Sequence, residues 1–285
     1  HWSLTQFTPA SMDVSAKNVQ ERIYSIIVLF FALVTFSSIV GSITASMTHL
    51  RNLKGDEMKQ FWLLRRYMRQ RRIRKDLSVR IQKFLEYQTQ RNSNLVQRNA
   101  LTILTQLSEP LHDELAHEMF ANTMFDHPFF SYLSMEMEVV MHRLCRSSLR
   151  TLTLATSDAV FHAGEEARCM YFVKTGDFEY TTLGDVVLDP PVRALEWLSE
   201  AVLWTPWRHL GDFRAVNPSE LISVDPNNFA KEMCVHPRPW TFSRRYGEQF
   251  LEFMNSLAAG VLSDVVRSDD FYHTAIEQLM HTVSL

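Results

Sequence analysis

The side chains able to do chemistry in this chain of 285 residues are scattered, and they form no recognisable motif. Cys145, Cys169 and Cys234 are odd in number and lack metal-ligand spacing, which is typical of reduced, buried thiols in a cytosolic domain. His162 and Glu165-Glu166 fall among glycine-punctuated strands and are expected as exposed charges. The sequence has no nucleophile–base pair, phosphate-binding loop or metal cluster, so we expect no enzyme activity.

The charge of the chain limits its partners. Twenty-nine Lys and Arg against 32 Asp and Glu give a net charge of −3, too small to indicate a nucleic-acid partner. Basic residues are concentrated just after an uncharged stretch, and by the positive-inside rule this places residues 51–285 in the cytoplasm. The cluster could contact anionic lipid or an acidic partner, or form a solvated helix face. It comprises Arg51, Lys54, Arg65, Arg66, Arg69, Arg71, Arg72, Arg74 and Lys75.

The uncharged stretch runs from Ile23 to Leu50, between Arg22 and Arg51. As a helix it would reach roughly 40 Å at about 1.5 Å per residue, more than the ~30 Å hydrocarbon core of a bilayer. It therefore predicts a membrane span, with a buried helix of a large soluble domain as the alternative. Small polar residues gather in its second half, which suits a helix packed against other helices or facing water, although a single-pass anchor stays open. They are Thr35, Ser37, Ser38, Gly41, Ser42, Thr44 and Ser46.

The residues before the span form a short element of their own. The first seven could form a short helix that Pro9 ends, and a polar turn up to Asp13 then leads to the spanning helix. A re-entrant pore loop has this arrangement, and so would an extracellular loop before an anchor. The chain opens with His1 and shows no signal-peptide pattern, so we expect it to be a fragment of a longer protein.

Two kinds of pattern follow the span. Residues 55–92 have helical spacing with a break next to Asp76, which predicts two antiparallel helices, and short amphipathic helices continue over residues 95–144. From near Ser148 the pattern changes to short strands, separated by turns at glycines and at Pro226. The strands are predicted at Leu149–Leu154, Met170–Val173 and Leu221–Val224, and helical spacing returns after Arg245 through Leu257, Val261, Leu262 and Val265.

This order of parts resembles the cytoplasm-facing half of voltage-gated-like cation channels with a cyclic-nucleotide-binding homology domain. That superfamily includes the ether-à-go-go, hyperpolarisation-activated and cyclic-nucleotide-gated channels. The resemblance covers nearly the whole chain, and it depends on the order and spacing of its segments. These are HWSLTQFT, NVQERIYSIIVLFFALVTFSSIVGSI, MKQFWLLRRYMRQRRIRKDLSVRIQKFLEYQ, LSEPLHDELAHEMF, HPFFSYLS and AGEEARCMYFVKTGDFEY, the last matching a hairpin of the β-roll.

The resemblance implies a fold of five parts. They are a pore helix and filter loop (1–22), a pore-lining transmembrane helix (23–50), a helical cytoplasmic linker (51–133), an α+β cyclic-nucleotide-binding-like β-roll with C-terminal helices (134–260), and a terminal helix or tail (261–285). The implied function is a subunit of a homo- or hetero-tetrameric, multi-pass cation channel in the plasma membrane. Gly41, Thr44 and Thr48 would lie at its gate, and monovalent cations would pass between the four inner helices.

The implied filter departs from the potassium-channel pattern. Potassium-selective members carry Thr-x-Gly-Tyr-Gly or Thr-x-Gly-Phe-Gly, whose glycines let backbone carbonyls turn toward the ion. The matching residues here contain no glycine, so we expect either weak cation selectivity or another ion preference, with four Asp13 carboxylates as a candidate ring. The residues are Thr8, Pro9, Ala10, Ser11, Met12 and Asp13.

The implied nucleotide pocket also departs from the family. Members that bind cAMP or cGMP carry Phe-Gly-Glu and then an Arg that pairs with the cyclic phosphate. Here Glu200 is kept, Ser199 replaces the glycine, and His209, preceded by Arg208, stands where the phosphate Arg is expected. We expect a domain that no longer responds to cyclic nucleotides, with an ordinary surface loop as the alternative for Glu200, Arg208 and His209. The rival function is a single-pass membrane-anchored docking protein without conduction.

Overall fold

A computed structural model describes residues 17–94, 102–258, 261–267, 271–272 and 274–275. Its contacts divide the chain into two compact units at Ser78/Val79. The first unit holds the apolar helix, and the second holds short helices and two antiparallel sheets in an α+β arrangement. The predicted filter residues lie outside the described residues.

The apolar stretch lies within one long helix, α1 (Val19–Gln70). Its portion Val19–His49 is the one helix among the described residues that is long and apolar enough to cross a membrane. The helix starts where the Glu21 carboxylate accepts the backbone N–H of Asn18 at 3.2 Å. It continues past the apolar portion without a break into the basic region.

The predicted break next to Asp76 is confirmed. Helix α1 ends at Gln70, Arg72 adopts a left-handed φ of 52°, and α2 (Lys75–Asn94) begins after a short turn. A 3₁₀ helix (Thr102–Gln106) and three further helices lead to the sheets. They are α3 (Glu109–Met124), α4 (Pro128–Glu136) and α5 (Glu138–Ser147).

In the part of the chain that the structure describes, seven strands form two antiparallel sheets, in the orders β1-β7-β3-β5 and β2-β6-β4. The three strands predicted from alternation and apolar runs are confirmed as β1, β3 and β7. The other four were not predicted from such patterns, although the hairpin implied by the resemblance includes a strand at the position of β4. The strands are β1 (Leu149–Leu154), β2 (Ala159–Phe161), β3 (Met170–Thr175), β4 (Phe178–Thr182), β5 (Trp197–Leu198), β6 (Gly211–Ala215) and β7 (Ser219–Val224).

The segment that resembled a hairpin is not one. Strands β3 and β4 follow each other around Gly176, but β3 pairs with β5 and β7 whereas β4 pairs with β6. Gly176 has a φ of 101°, and a Cβ there would overlap the Ser219 side chain. The glycine therefore lets the chain cross from one sheet to the other.

The sheet containing β7 is covered on both faces. Val173 and Leu221 share a core with residues of the second sheet, such as Phe178 and Phe213. Phe172 and Ile222 point the opposite way, into a larger core formed with the helices. Every residue of β7 is buried, as expected for a strand covered on both sides.

Two predictions for the C-terminal part are wrong. Pro226 begins a helix rather than a turn, because proline suits the first helical position and the Asp225 carboxylate accepts the N–H of Asn228 at 2.8 Å. This helix is α6 (Pro226–Cys234), and α7 (Pro237–Ser256) follows it. Residues 261–267 are not helical despite their apolar spacing, since tertiary contacts of Asp264 hold them in an irregular conformation.

The cysteines are only partly as predicted. All three are free, and Cys145 is buried, so that burial raises the pKa of its thiol to about 12. Cys169 is half-buried and Cys234 is exposed, which contradicts the expectation that all three are buried. His162 and Glu165-Glu166 are exposed, as predicted.

Candidate functional site

Three of the four pocket residues expected from the sequence are buried together. Ser199, Glu200 and His209 are 1%, 2% and 2% exposed, which contradicts a surface loop for Glu200 and His209. Arg208 is exposed and donates to the Gly164 carbonyl at 2.9 Å, outside this group. The buried residues stand at the end of β5 and just before β6, on two loops that the sheets bring together.

Ser199 adopts the backbone conformation that a glycine would take most easily. Its φ of 59° and ψ of 33° are left-handed, a region that costs a residue with a Cβ roughly 1–2 kcal/mol. Its N–H donates to the Asp264 carbonyl at 2.7 Å. The Ser199 hydroxyl lies 3.3 Å from His209 Nδ1. These contacts hold the serine in the strained conformation.

Asp264, which the sequence did not indicate, fills the centre of this site. Its carboxylate accepts the backbone N–H of Leu210 at 2.7 Å, Trp207 Nε1–H at 2.8 Å and the Tyr180 hydroxyl at 2.9 Å. His209 Nδ1 lies 3.1 Å from the same carboxylate, and the His209 ring is stacked on Phe161. The side chain of Asp264 is fully buried. We call this group of contacts the Asp264 cluster.

Within the described part of the chain, hydrogen bonds stabilise the negative charge of the Asp264 carboxylate without a Lys or Arg partner. Among the described residues, no Lys or Arg is within ion-pair distance of Asp264, and its partners are neutral donors together with one histidine. Several hydrogen bonds can replace the water around a buried carboxylate. Burial and the adjacent Asp264 raise the pKa of Tyr180 above its ordinary value, so this tyrosine stays a donor.

A second buried carboxylate, Glu200, accepts four donors. Oε1 accepts the Tyr246 hydroxyl at 3.0 Å and Trp204 Nε1–H at 3.4 Å. Oε2 accepts the Tyr272 hydroxyl at 2.8 Å and lies 3.1 Å from His127 Nε2. We call this group the Glu200 cluster. It joins four separate parts of the chain: the start of α4, the turn after β5, α7 and the C-terminal residues.

Burial and close packing fix the donors around Glu200. Burial, followed by the nearby Glu200 carboxylate, raises the pKa values of Tyr246 and Tyr272 well above the usual value for tyrosine. Trp204 can approach because a Cβ at Gly247 would come within 2.8 Å of its ring. Trp197 Nε1–H donates in turn to the Tyr272 hydroxyl at 3.0 Å. The tyrosines therefore remain protonated donors at any physiological pH.

The hydrogen-bond donors of this site suit an anionic group, and the carboxylates of Asp264 and Glu200 are the anionic groups that they bind. Backbone and side-chain donors converge on the Asp264 carboxylate, and the Tyr272 hydroxyl donates to Glu200. No group of three or more His, Cys, Asp or Glu able to hold a metal is found in the part of the chain that the structure describes.

The predicted gate residues all lie on α1. Gly41 and Thr44 are exposed within continuous α-helix, and a Cβ at Gly41 would meet nothing within 4 Å. The Thr48 hydroxyl donates to the Thr44 carbonyl at 2.8 Å, a bond made inside the helix. The predicted filter residues Thr8–Asp13 lie outside the described residues.

The residues that the sequence did not indicate share one property: their partners are distant in sequence. Asp264 is 65 residues from Ser199, and His127 is 73 residues from Glu200. One signal was available, since Asp264 is a lone acidic residue within the apolar run Val261–Val266. An acidic side chain at such a place must find donors if the run is buried.

Comparison with known proteins adds no family to this description. No protein-family model matches the chain, and no curated protein is significantly similar to it in sequence.

Proposed function

We propose that this chain is part of a subunit of a tetrameric cation channel, with a cytoplasmic domain that has the form of a cyclic-nucleotide-binding homology domain. The observation that carries the proposal is the continuity of α1. One helix of 52 residues joins an apolar, membrane-length portion to a charged portion that leads into the helical linker. A displacement of the linker would therefore act directly on the membrane portion.

The two-sheet body supports the same proposal. Its buried Ser199, Glu200 and His209 occupy the positions where the resemblance expects the ligand contacts of a nucleotide-binding roll. Asp264 and Tyr272 take up these contacts, as expected for a homology domain that does not respond to cyclic nucleotides. Residues 51–285 would lie in the cytoplasm, and four copies would surround a water-filled path for monovalent cations.

Permeation would differ from that of a strict potassium channel. The residues Thr8–Asp13 contain no glycine, and Pro9 fixes its own φ, so a ladder of inward-pointing carbonyls is disfavoured. A wider filter would admit partly hydrated cations and place four Asp13 carboxylates near the path. The proposed channel therefore discriminates poorly between K⁺ and Na⁺.

Current recordings test this proposal directly. Cells expressing the complete natural protein should show a current whose reversal potential shifts when either K⁺ or Na⁺ is exchanged. Truncation within α1 should abolish the current. A reversal potential that follows K⁺ alone would contradict the proposed weak discrimination between K⁺ and Na⁺. A protein that stays monomeric and carries no current at any voltage would contradict the proposed channel function.

A nucleotide titration tests the occupied pocket. Calorimetry of the full chain with cAMP or cGMP should show no binding up to millimolar concentration, because Asp264 and Tyr272 already fill the contacts. His209→Arg serves as the comparison, since it restores the side chain that pairs with the cyclic phosphate in the nucleotide-binding members of the superfamily. Saturable binding to the wild-type protein would contradict the proposal.

The alternative is a membrane-anchored docking protein without conduction. It is favoured by one observation: the described residues contain a single helix able to span a membrane. Such a protein would use the two-sheet body to bind a partner, and α1 only as a tether. Cross-linking in membranes separates the two functions, because the channel requires a tetramer and the tether does not.

A further inference from the structure

The Glu200 cluster connects the C-terminal residues to the linker helices as well as closing the pocket. We infer that Glu200 is a coupling residue, through which the position of Tyr272 controls the start of α4. This inference rests on the proposed function only for its use in gating. Its physical content is that release of Tyr272 changes the hydrogen bonding of the first turn of α4.

The hydrogen bonds of His127 fix which of its ring nitrogens carries the proton. This residue is the N-cap of α4, and its Nδ1 accepts the backbone N–H of Phe129 at 3.2 Å. A ring nitrogen that accepts a hydrogen bond carries no proton, so the proton of the His127 ring is on Nε2. Nε2–H therefore donates to Glu200 Oε2, at 3.1 Å.

Tyr272 donates to the same Glu200 oxygen, Oε2, as His127 does. The Tyr272 hydroxyl is 2.8 Å from Glu200 Oε2, whereas Tyr246 and Trp204 bind the other oxygen, Oε1. The Tyr272 and His127 rings are also in edge contact, with their centroids 5.4 Å apart. A change at Tyr272 therefore alters the acceptor that orients His127, and through His127 the N-cap of α4.

Glu200 and His127 are too deeply buried for water to replace a hydrogen-bond partner that either of them loses. Both side chains are 1% exposed, so water does not replace a lost donor. Phe130, Phe172 and Trp197 surround the His127 ring, with centroids 4.5–5.9 Å away. A buried carboxylate that loses one of four donors shifts toward the remaining donors, and the positions of those partners change with it.

The Asp264 cluster provides a matched contrast. Tyr180 donates to Asp264 as Tyr272 donates to Glu200, and both hydroxyls are buried. The partners of Asp264 come from β4, from the loop before β6 and from the turn after β5, and none of those described belongs to α4. Asp264 therefore seals the pocket, whereas Glu200 links it to the linker.

Hydrogen exchange of the full chain in lipid nanodiscs tests this division. In Tyr272→Phe, which removes only the hydroxyl, the Phe129 amide should exchange about fivefold faster, as expected from the loss of one hydrogen bond. In the control Tyr180→Phe, the Ser199 amide should exchange faster and the Phe129 amide should not change. An unchanged Phe129 amide in Tyr272→Phe, or an equal effect of both variants on it, would overturn the inference.

A double variant gives the second readout. If the effect passes through His127, then Tyr272→Phe should have no further effect on the Phe130–Leu133 amides once His127→Ala is present. Full additivity of the two substitutions would contradict a connected path. These measurements need no current, so failure of the channel proposal and failure of the coupling are distinguished.

Discussion

At the scale of single residues, two carboxylates organise the candidate site. Asp264 and Glu200 are both buried, and hydrogen bonds from Tyr, Trp, His and backbone groups stabilise their charges. Removing a donor or an acceptor from such a group leaves its partner unsatisfied in a dry environment, which is more costly than an ordinary surface substitution. Stability measurements can therefore identify these contacts.

Asp264→Asn should destabilise the protein strongly. The amide keeps one acceptor oxygen, but its NH₂ group must face donors such as Leu210 N–H or Trp207 Nε1–H. We expect a loss of about 3 kcal/mol, and a Tm lower by roughly 6–12 °C. Asp185→Asn is the control, since Asp185 is exposed with a φ of 57° that asparagine tolerates. Equal melting of the two variants would show that Asp264 contributes no more than a surface carboxylate.

Ser199 allows the backbone strain to be separated from the hydroxyl contacts. Ser199→Ala keeps the left-handed φ of 59° and loses the contact to His209, whereas Ser199→Gly loses the contact but relieves the strain. The glycine variant should therefore be about 1 kcal/mol more stable than the alanine variant in urea unfolding. The reverse order would mean that the turn is not strained.

At the scale of the elements, a histidine pair lies between α3 and α5. The His117 and His142 rings have centroids 4.4 Å apart, and His117 Nε2 is 3.1 Å from the Ser134 hydroxyl of α4. Burial and the positive charge that His142 can carry lower the pKa of His117, and the nearby Glu118 and Glu138 oppose this only in part. The packing of these helices should therefore be sensitive to acid.

The sign of this pH dependence follows from the lowered pKa. Because the unfolded state binds a proton more readily than folded His117, stability is lost as the pH falls through the ordinary histidine pKa of about 6.5. We expect the Tm to fall between pH 7.5 and 5.5, and to fall less in His117→Gln. His162, which is exposed, provides the control substitution. A Tm that rises on acidification, or an unchanged slope in His117→Gln, would contradict this assignment.

At the scale of the whole molecule, the proposed channel function depends on joining the membrane-length portion of α1 to the two-sheet body. Helix α1 carries both the membrane-length portion and the first basic residues of the linker, so no flexible joint separates them. In an assembly of four copies, each closed pocket would act on one inner helix. The size of the current would then depend on residues near the ion path, such as Asp13, that do not contribute to the fold of the two-sheet body.

Asp13→Asn should reduce cation conductance or divalent block in the complete protein. Four carboxylates near a narrow path raise the local cation concentration, and their neutralisation removes this attraction. Single-channel recordings at low ionic strength measure the effect, with Asp185→Asn as the control because Asp185 lies in the two-sheet body, after β4. Currents identical to the wild type would exclude a charged ring at this position.

The sequence by itself determined the membrane-length helix, the break before α2 and strands β1, β3 and β7. Each of these depends on hydropathy or periodicity among neighbouring residues, and such local patterns do not depend on how distant parts of the chain pack. The tertiary structure alone decided that β3 and β4 belong to different sheets, that residues 261–267 are not helical, and that Asp264 and Tyr272 contact the buried residues His209 and Glu200. The contacts of the two carboxylates join donors and acceptors 54–84 residues apart, and no local pattern specifies which distant partner a buried carboxylate will find.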